Sequence, residues 1–307
     1  MTIDFVPDIK NFPHICETYK KNKLITFIGA GVSAIWGCKR WPDMAISLVD
    51  ECYDEGKISY WEKKILLDKY QYNPRKLITI AKDILNEKYL EKLKKTIEPS
   101  KKKKERYQDL FKKLASLNTI FITTNIDTHL SEQLSKPQVH HNNFQKDLLQ
   151  PKNCFHLHGR IDEESSLVMT IDEYIDKYKN NTKFSKFLEH IFWEDEYALL
   201  FIGYGVDELE LIDYMIEKYD SEKSKQSSRS GNMLNRYYIF MPTFNNEETL
   251  LRYEKLYFNK LRMEIIPYAI DNNGYEQLYE VINTWVAELI KPDDNFYKLT
   301  KLIDDNK

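Results

Sequence analysis

Residues 24–33 read LITFIGAGVS, an apolar run that closes in Gly29-Ala30-Gly31-Val32-Ser33. A strand ending in such a turn directs backbone N–H groups at a phosphate. Gly29 is free to take a positive φ, Gly31 lets a pyrophosphate approach the main chain, and the helix that follows offers its positive end to the anion. Ser33 adds a hydroxyl at the helix start. This is the chemistry of a nucleotide pocket. The same residues, with Ala34, also fit the relaxed G-x-G-x-x-A form of a dehydrogenase fingerprint. That reading needs an acidic residue about 20 positions further on at a strand end. Here the position falls on Asp50 or Glu51, within a helical pattern, which disfavours it.

Three later segments end in the same way. TIFITTNID closes in Thr123-Thr124-Asn125-Ile126-Asp127, NCFHLHG in His156-Leu157-His158-Gly159, and YALLFIGYG in Gly203-Tyr204-Gly205, followed by Asp207. Each sets polar residues or glycines just past the carboxyl end of a parallel strand, where open α/β sheets bind ligands. Plainer roles stand beside these. His158 also suits a packed core position, and Asn125, Asp127 and Asp207 suit helix caps. Gly203 and Gly205 suit a simple strand-to-helix turn or a wall against an adenosine. Cys154, His156 and His158 alternate along one strand and so share a face, but no further ligands for a metal are visible, and no metal site is expected.

The elements that must position these residues form an alternating pattern, which predicts an α/β fold: a doubly wound, mostly parallel Rossmann-like sheet with inserted helical modules. A strand is expected in the apolar run of 24–33 before the glycine turn, and others at 119–124, 153–158, 197–203, 236–241 and 262–269, with a short one at 167–170. Helices are expected at 42–56, 208–219, 247–257 and 276–290. From 59 to 117 the periodicity is helical throughout, and 171–195 is a second small helical stretch. The whole chain, 1–307, reads as a single domain. Its core spans about 22–56, 117–170 and 196–290, with modules at about 57–116 and 171–195. Residues 221–235 have no apolar periodicity and are expected to be a loop, and the tail after Pro292 is polar.

With these motifs in this order, the chain resembles the sirtuin-like family of NAD-binding domains, from about residue 22 to about residue 290. The resemblance rests on Gly29-Ala30-Gly31-Val32-Ser33, Thr123-Thr124-Asn125-Ile126-Asp127, His158-Gly159 and Gly203-Tyr204-Gly205, and Met169-Thr170 with Tyr174 is similar as well. It implies NAD+ as substrate, with His158 as general base and Asn125 holding the nicotinamide ribose or the attacking water. Asp127 would fix the nicotinamide or the Asn125 loop, and the glycine turn with Ser33 would cradle the diphosphate. Ala30, Thr124, Gly203, Gly205 and Asp207 complete the implied binding set.

Two departures from protein-deacylating sirtuins redirect the expectation. The four cysteines, Cys16, Cys38, Cys52 and Cys154, form no Cys-x-x-Cys pair, so no structural zinc is expected. The Gly-Ile-Pro-Asp-Phe-Arg segment of deacylases is replaced by Gly37-Cys38-Lys39-Arg40-Trp41-Pro42-Asp43, which resembles the Trp-Pro variant of bacterial sirtuin-like domains in anti-phage defence. The resemblance therefore implies an NAD+ glycohydrolase acting as an abortive-infection effector that depletes NAD. The alternatives are a deacylase or ADP-ribosyltransferase, and a non-catalytic module that senses NAD or ADP-ribose.

Composition narrows partners and compartment. Forty-five basic against 48 acidic residues leave a net charge of −3, with no overall pull toward nucleic acid or an anionic membrane. The run Lys101-Lys102-Lys103-Lys104 is read as a solvated helix start. No apolar run reaches the ~18 residues of a membrane span, and the N-terminus lacks a secretory pattern, so a cytoplasmic location is expected. Control of a toxic hydrolase is expected to lie in a homo-oligomer, a separate sensor or regulatory protein, or a region beyond this chain.

Overall fold

A computed structural model of the chain describes residues 3–193, 197–205 and 237–291. Among the described residues, seven strands are β1 (Leu24–Ile28), β2 (Ile120–Thr123), β3 (Val139–His140), β4 (Cys154–His156), β5 (Ala198–Ile202), β6 (Tyr237–Thr243) and β7 (Met263–Ala269). They form one sheet in the order β3-β4-β2-β1-β5-β6-β7, and every neighbouring pair is parallel. The strand runs are apolar without alternation because both faces are covered; all five residues of β1 are buried. The fold is therefore a doubly wound, Rossmann-like α/β sheet.

Successive residues of β1 enter opposite layers. Ile25 and Phe27 face a core completed by Phe184, Leu188, Ile191 and Phe192 of the helix Thr182–Trp193 and by Leu251 and Phe258 of the helix Glu248–Lys260. Leu24 and Ile28 face a second core built with Leu110, Phe111 and Leu114 of Leu110–Ser116 and Val281, Ile282 and Trp285 of Gln277–Ile290. A third core lies inside the helical module, where Trp41–Asp54, Pro74–Leu85 and Tyr89–Thr96 pack together. That third core also takes in Ile126, Ile161 and Met169, so the module grips the loops that leave β2 and β4.

Most expected elements are present, with informative differences. The helical region resolves into separate helices. The last of them, Leu110–Ser116, packs beneath the sheet, so the module proper ends before it. Residues 167–170 form no strand: Val168 N–H donates to His158 O, and the chain there has already turned at Gly159. β3 was not anticipated, since two residues carry no periodicity. The segment 171–195 contains a π-helical turn, Ile175–Asn180. The expected helix 208–219, the loop 221–235, the tail after Pro292 and Asp207 lie outside the described residues. Among the described residues no helix is long and apolar enough to cross a membrane.

Candidate functional site

The strand order reverses between β1 and β5, and there the two glycine turns meet backbone to backbone. Gly29 N–H donates to Ile202 O at 2.9 Å, and Gly31 N–H to Gly203 O at 2.7 Å. A Cβ on Gly29 would stand 2.5 Å from Gly203 O, and one on Gly31 would stand 2.8 Å from the same atom. These contacts correct the reading of the turn. Gly29 has φ −99°, an ordinary extended value; the positive φ belongs to Gly203, at +65°. The amides of Gly29 and Gly31 are spent on β5 and its turn, and that of Val32 on Gly29 O at 3.1 Å. The following helix, Ala30–Ile35, is one short turn and a half. Glycine is needed here first because one backbone lies against another.

Beside this contact, at the carboxyl ends of β1 and β2, a narrow cleft with a cavity volume of about 20 Å³ opens partly to solvent. Ser33, Asn125 and Asp127 form its polar side; Ala30, Trp41, Met44, Ile97 and Met169 face it with apolar surface. Thr123 Oγ1 donates to Ile28 O at 2.7 Å and accepts from Asn125 N–H at 3.0 Å, locking the start of the loop to β1. Ile126, buried in the module core, anchors the loop between Asn125 and Asp127. Asn125 Nδ2 then donates to Gly29 O and Ser33 Oγ, each at 3.0 Å, and Ser33 Oγ donates to Asp127 Oδ2 at 2.6 Å. Asp127 Oδ1 accepts His129 N–H at 3.2 Å.

With both amide hydrogens engaged, Asn125 Oδ1 is buried and has no hydrogen-bond partner. Such an acceptor, in a side chain only 8% exposed on the cleft, is suited to a hydroxyl or a water. The loop is braced from behind by His156, whose Nδ1–H donates to Asn125 O at 3.1 Å. Burial pushes the His156 pKa down to about 4, which keeps the ring neutral.

His158 lies next to this cleft without lining it. The chain leaves β4 at His156, and Gly159 turns it sharply with φ +76°, where a Cβ would fall 2.0 Å from Ser166 O. The imidazole is 3% exposed, its Nε2 is 2.9 Å from Tyr178 Oη, and its ring meets Trp41 edge-on with centroids 5.9 Å apart. Trp41 thus touches both the cleft and the imidazole. Burial first, then the positive charges of Arg75 and Lys177, hold the His158 pKa at about 3. In this arrangement the ring is neutral but a weak base, below the range that serves at neutral pH.

The expected shared face of Cys154, His156 and His158 is not what the fold builds, because the strand ends at His156 and the third residue lies in the turn beyond it. Among the described residues no group of three His, Cys, Asp or Glu side chains is placed to hold a metal. Thr124 is buried at the loop start, and Gly205 is exposed at the end of its segment. The motif reading missed Cys38, Lys39, Met44 and Ile97 on the cleft and Tyr178 against His158. Only Tyr178 carried a signal: it stands four residues after Tyr174, a spacing that stacks side chains along a helical turn.

The sequence model of the family described as SIR2-like domain matches residues 119–266, the stretch from β2 into β7 that holds Asn125, Asp127, His158 and Gly203. Over this stretch the chain is similar to the sirtuin-like family, whose domains are NAD-related. No curated protein sequence matches it.

Proposed function

We propose that this chain is an NAD+ glycohydrolase that releases nicotinamide and ADP-ribose. The observation that carries the reading is Asn125: its amide hydrogens are tied to Gly29 O and Ser33 Oγ, and its Oδ1 is left buried and unpartnered at a cleft of an NAD-related fold. Breaking the nicotinamide–ribose bond leaves an oxocarbenium-like sugar. The site must then hold a ribose hydroxyl or a water, exclude bulk solvent and take a proton from the attacking oxygen. Asn125 Oδ1 supplies the acceptor, and Ser33 and Asp127 keep it from turning. The apolar side formed by Trp41, Met44, Ile97 and Met169 suits a nicotinamide ring. His158 is neutral and so able to accept a proton; water or substrate admitted beside it would relieve the desolvation that depresses its pKa.

The Trp41-Pro42 segment and the lack of Cys-x-x-Cys pairs support the zinc-free defence type, an effector that depletes NAD in abortive infection. Control by self-association or by a separate sensor protein belongs to this proposal. The test is nicotinamide release, followed by chromatography with and without the proteins encoded beside this one. His158→Ala and Asn125→Ala should each lower release by about two orders of magnitude while the fold persists. Parental turnover in either variant would remove that residue from the site. The position of His158 off the cleft favours a second reading, a binding module without catalysis. Tight NAD+ binding with no nicotinamide released under any of these conditions would select it, and turnover of an acetylated peptide would select a deacylase.

A further inference from the structure

We propose that Tyr178 is a positioning residue for His158, its hydroxyl fixing the orientation and tautomer of the imidazole; the inference rests on the role given to His158 above. Tyr178 Oη lies 2.9 Å from His158 Nε2, and the two rings cross at 74°. Whichever of the two donates, a bond to one ring nitrogen decides which nitrogen carries the proton. The main chain at His158 is held independently, by the Gly159 turn and by Val168 N–H on His158 O at 3.0 Å. Rotation of the imidazole about its own side-chain bonds is what that backbone leaves open, and the phenol restrains it.

The phenol is itself clamped. It sits on the π-helical turn Ile175–Asn180, a rare geometry that concentrates at functional sites. Tyr174 stacks on one face at 4.3 Å, and Phe184 meets the ring at 5.0 Å, crossing at 85°. The turn just before the π-helical one, Ile171–Tyr174, is tied to one helix of the module, Pro74–Leu85. Arg75 places its guanidinium 4.0 Å over the Tyr174 ring, and Lys82 pairs with Glu173 at 2.5 Å. Glu173 in turn accepts the N–H groups of Met169 and Thr170, at 2.7 and 2.9 Å. The helical module therefore reaches His158 through Tyr174 and Tyr178, in addition to the direct contact of Trp41 with the imidazole. A phenylalanine would fill the same space, so the hydroxyl has the specific task of engaging the imidazole.

The experiment compares the full chain with Tyr178→Phe and Arg75→Gln by ¹⁵N resonances of the His158 ring nitrogens and by steady-state nicotinamide release. Tyr178→Phe should move the ring resonances to a different tautomer balance and lower kcat about tenfold, with KM nearly unchanged. Arg75→Gln, acting from outside, should move the same resonances less. A folded Tyr178→Phe protein with unchanged ring resonances overturns the inference, as does one with altered resonances and parental kcat. Should Tyr178→Phe not fold, unchanged resonances in Arg75→Gln overturn it. Absence of nicotinamide release in the parent counts against the hydrolase reading instead, and the resonances still decide whether the phenol sets the imidazole.

Discussion

The Ser33 hydroxyl donates to Asp127 Oδ2 at 2.6 Å, joining the helix after the first strand to the loop after the second. The same oxygen accepts from Asn125 Nδ2, so one serine holds both polar side chains of the loop. Ser33→Ala leaves a buried carboxylate and a buried amide each short of a partner, at a cost of about 1–3 kcal/mol. Urea unfolding should show that loss, and calorimetry should show weaker NAD+ binding. Parental values for both would mean that the serine neither braces the loop nor serves the site.

Gly203→Ala should be far more damaging than Gly56→Ala, although both glycines have nearly the same φ, +65° and +66°. At Gly203 a Cβ meets Val32 N at 2.5 Å; at Gly56 it meets nothing within 4 Å. The exposed position pays only the left-handed strain of about 1–2 kcal/mol. Gly203 adds a clash with main chain that nothing can relieve by a rotamer change. Melting midpoints of the two variants should differ by many degrees, and equal midpoints would contradict the close approach of the two turns.

Stability should fall as the pH is lowered from 7 toward 5. Burial holds His158 at about 3 and His156 at about 4, against 6.5 for a solvated imidazole. His140 and His141 are also lowered, mainly by burial. The unfolded chain therefore binds protons first. The stabilisation is complete above about 6.5 and is lost progressively as pH falls toward the folded values, with a slope of ~1.4 kcal/mol per pH unit for each such histidine. Urea midpoints measured across this window should drop steadily, and a flat profile would show that these rings are solvated.

Chelation should leave the protein intact. The Cys154 thiol is pushed up to about 12 by burial, and Cys38 likewise by burial and by the nearby Asp127 carboxylate, so neither readily supplies a thiolate. Treatment with EDTA is expected to change neither the melting midpoint nor nicotinamide release. Stoichiometric zinc in elemental analysis, lost together with activity, would overturn this and the role given to His158.

The sequence by itself determined six of the strands described in the sheet, all but the two-residue β3, and the end of the sheet that carries the candidate site. Runs such as LITFI and ALLFI are apolar throughout, a pattern that parallel strands covered on both faces produce, and the polar residues after each run fall at one edge because parallel strands end together. Tertiary structure alone decided the partners. Gly29 and Gly31 looked like a phosphate turn, yet their close neighbour is Gly203, contributed by a distant strand. Ser33 looked like a ligand hydroxyl, yet it bonds Asp127. His158 looked like a residue of the cleft, yet it lies beside it, in the turn after β4, with Tyr178 Oη at its Nε2. Local pattern reports which residues are buried; which atoms then meet depends on how separately formed layers pack, and no short stretch of the chain contains that information.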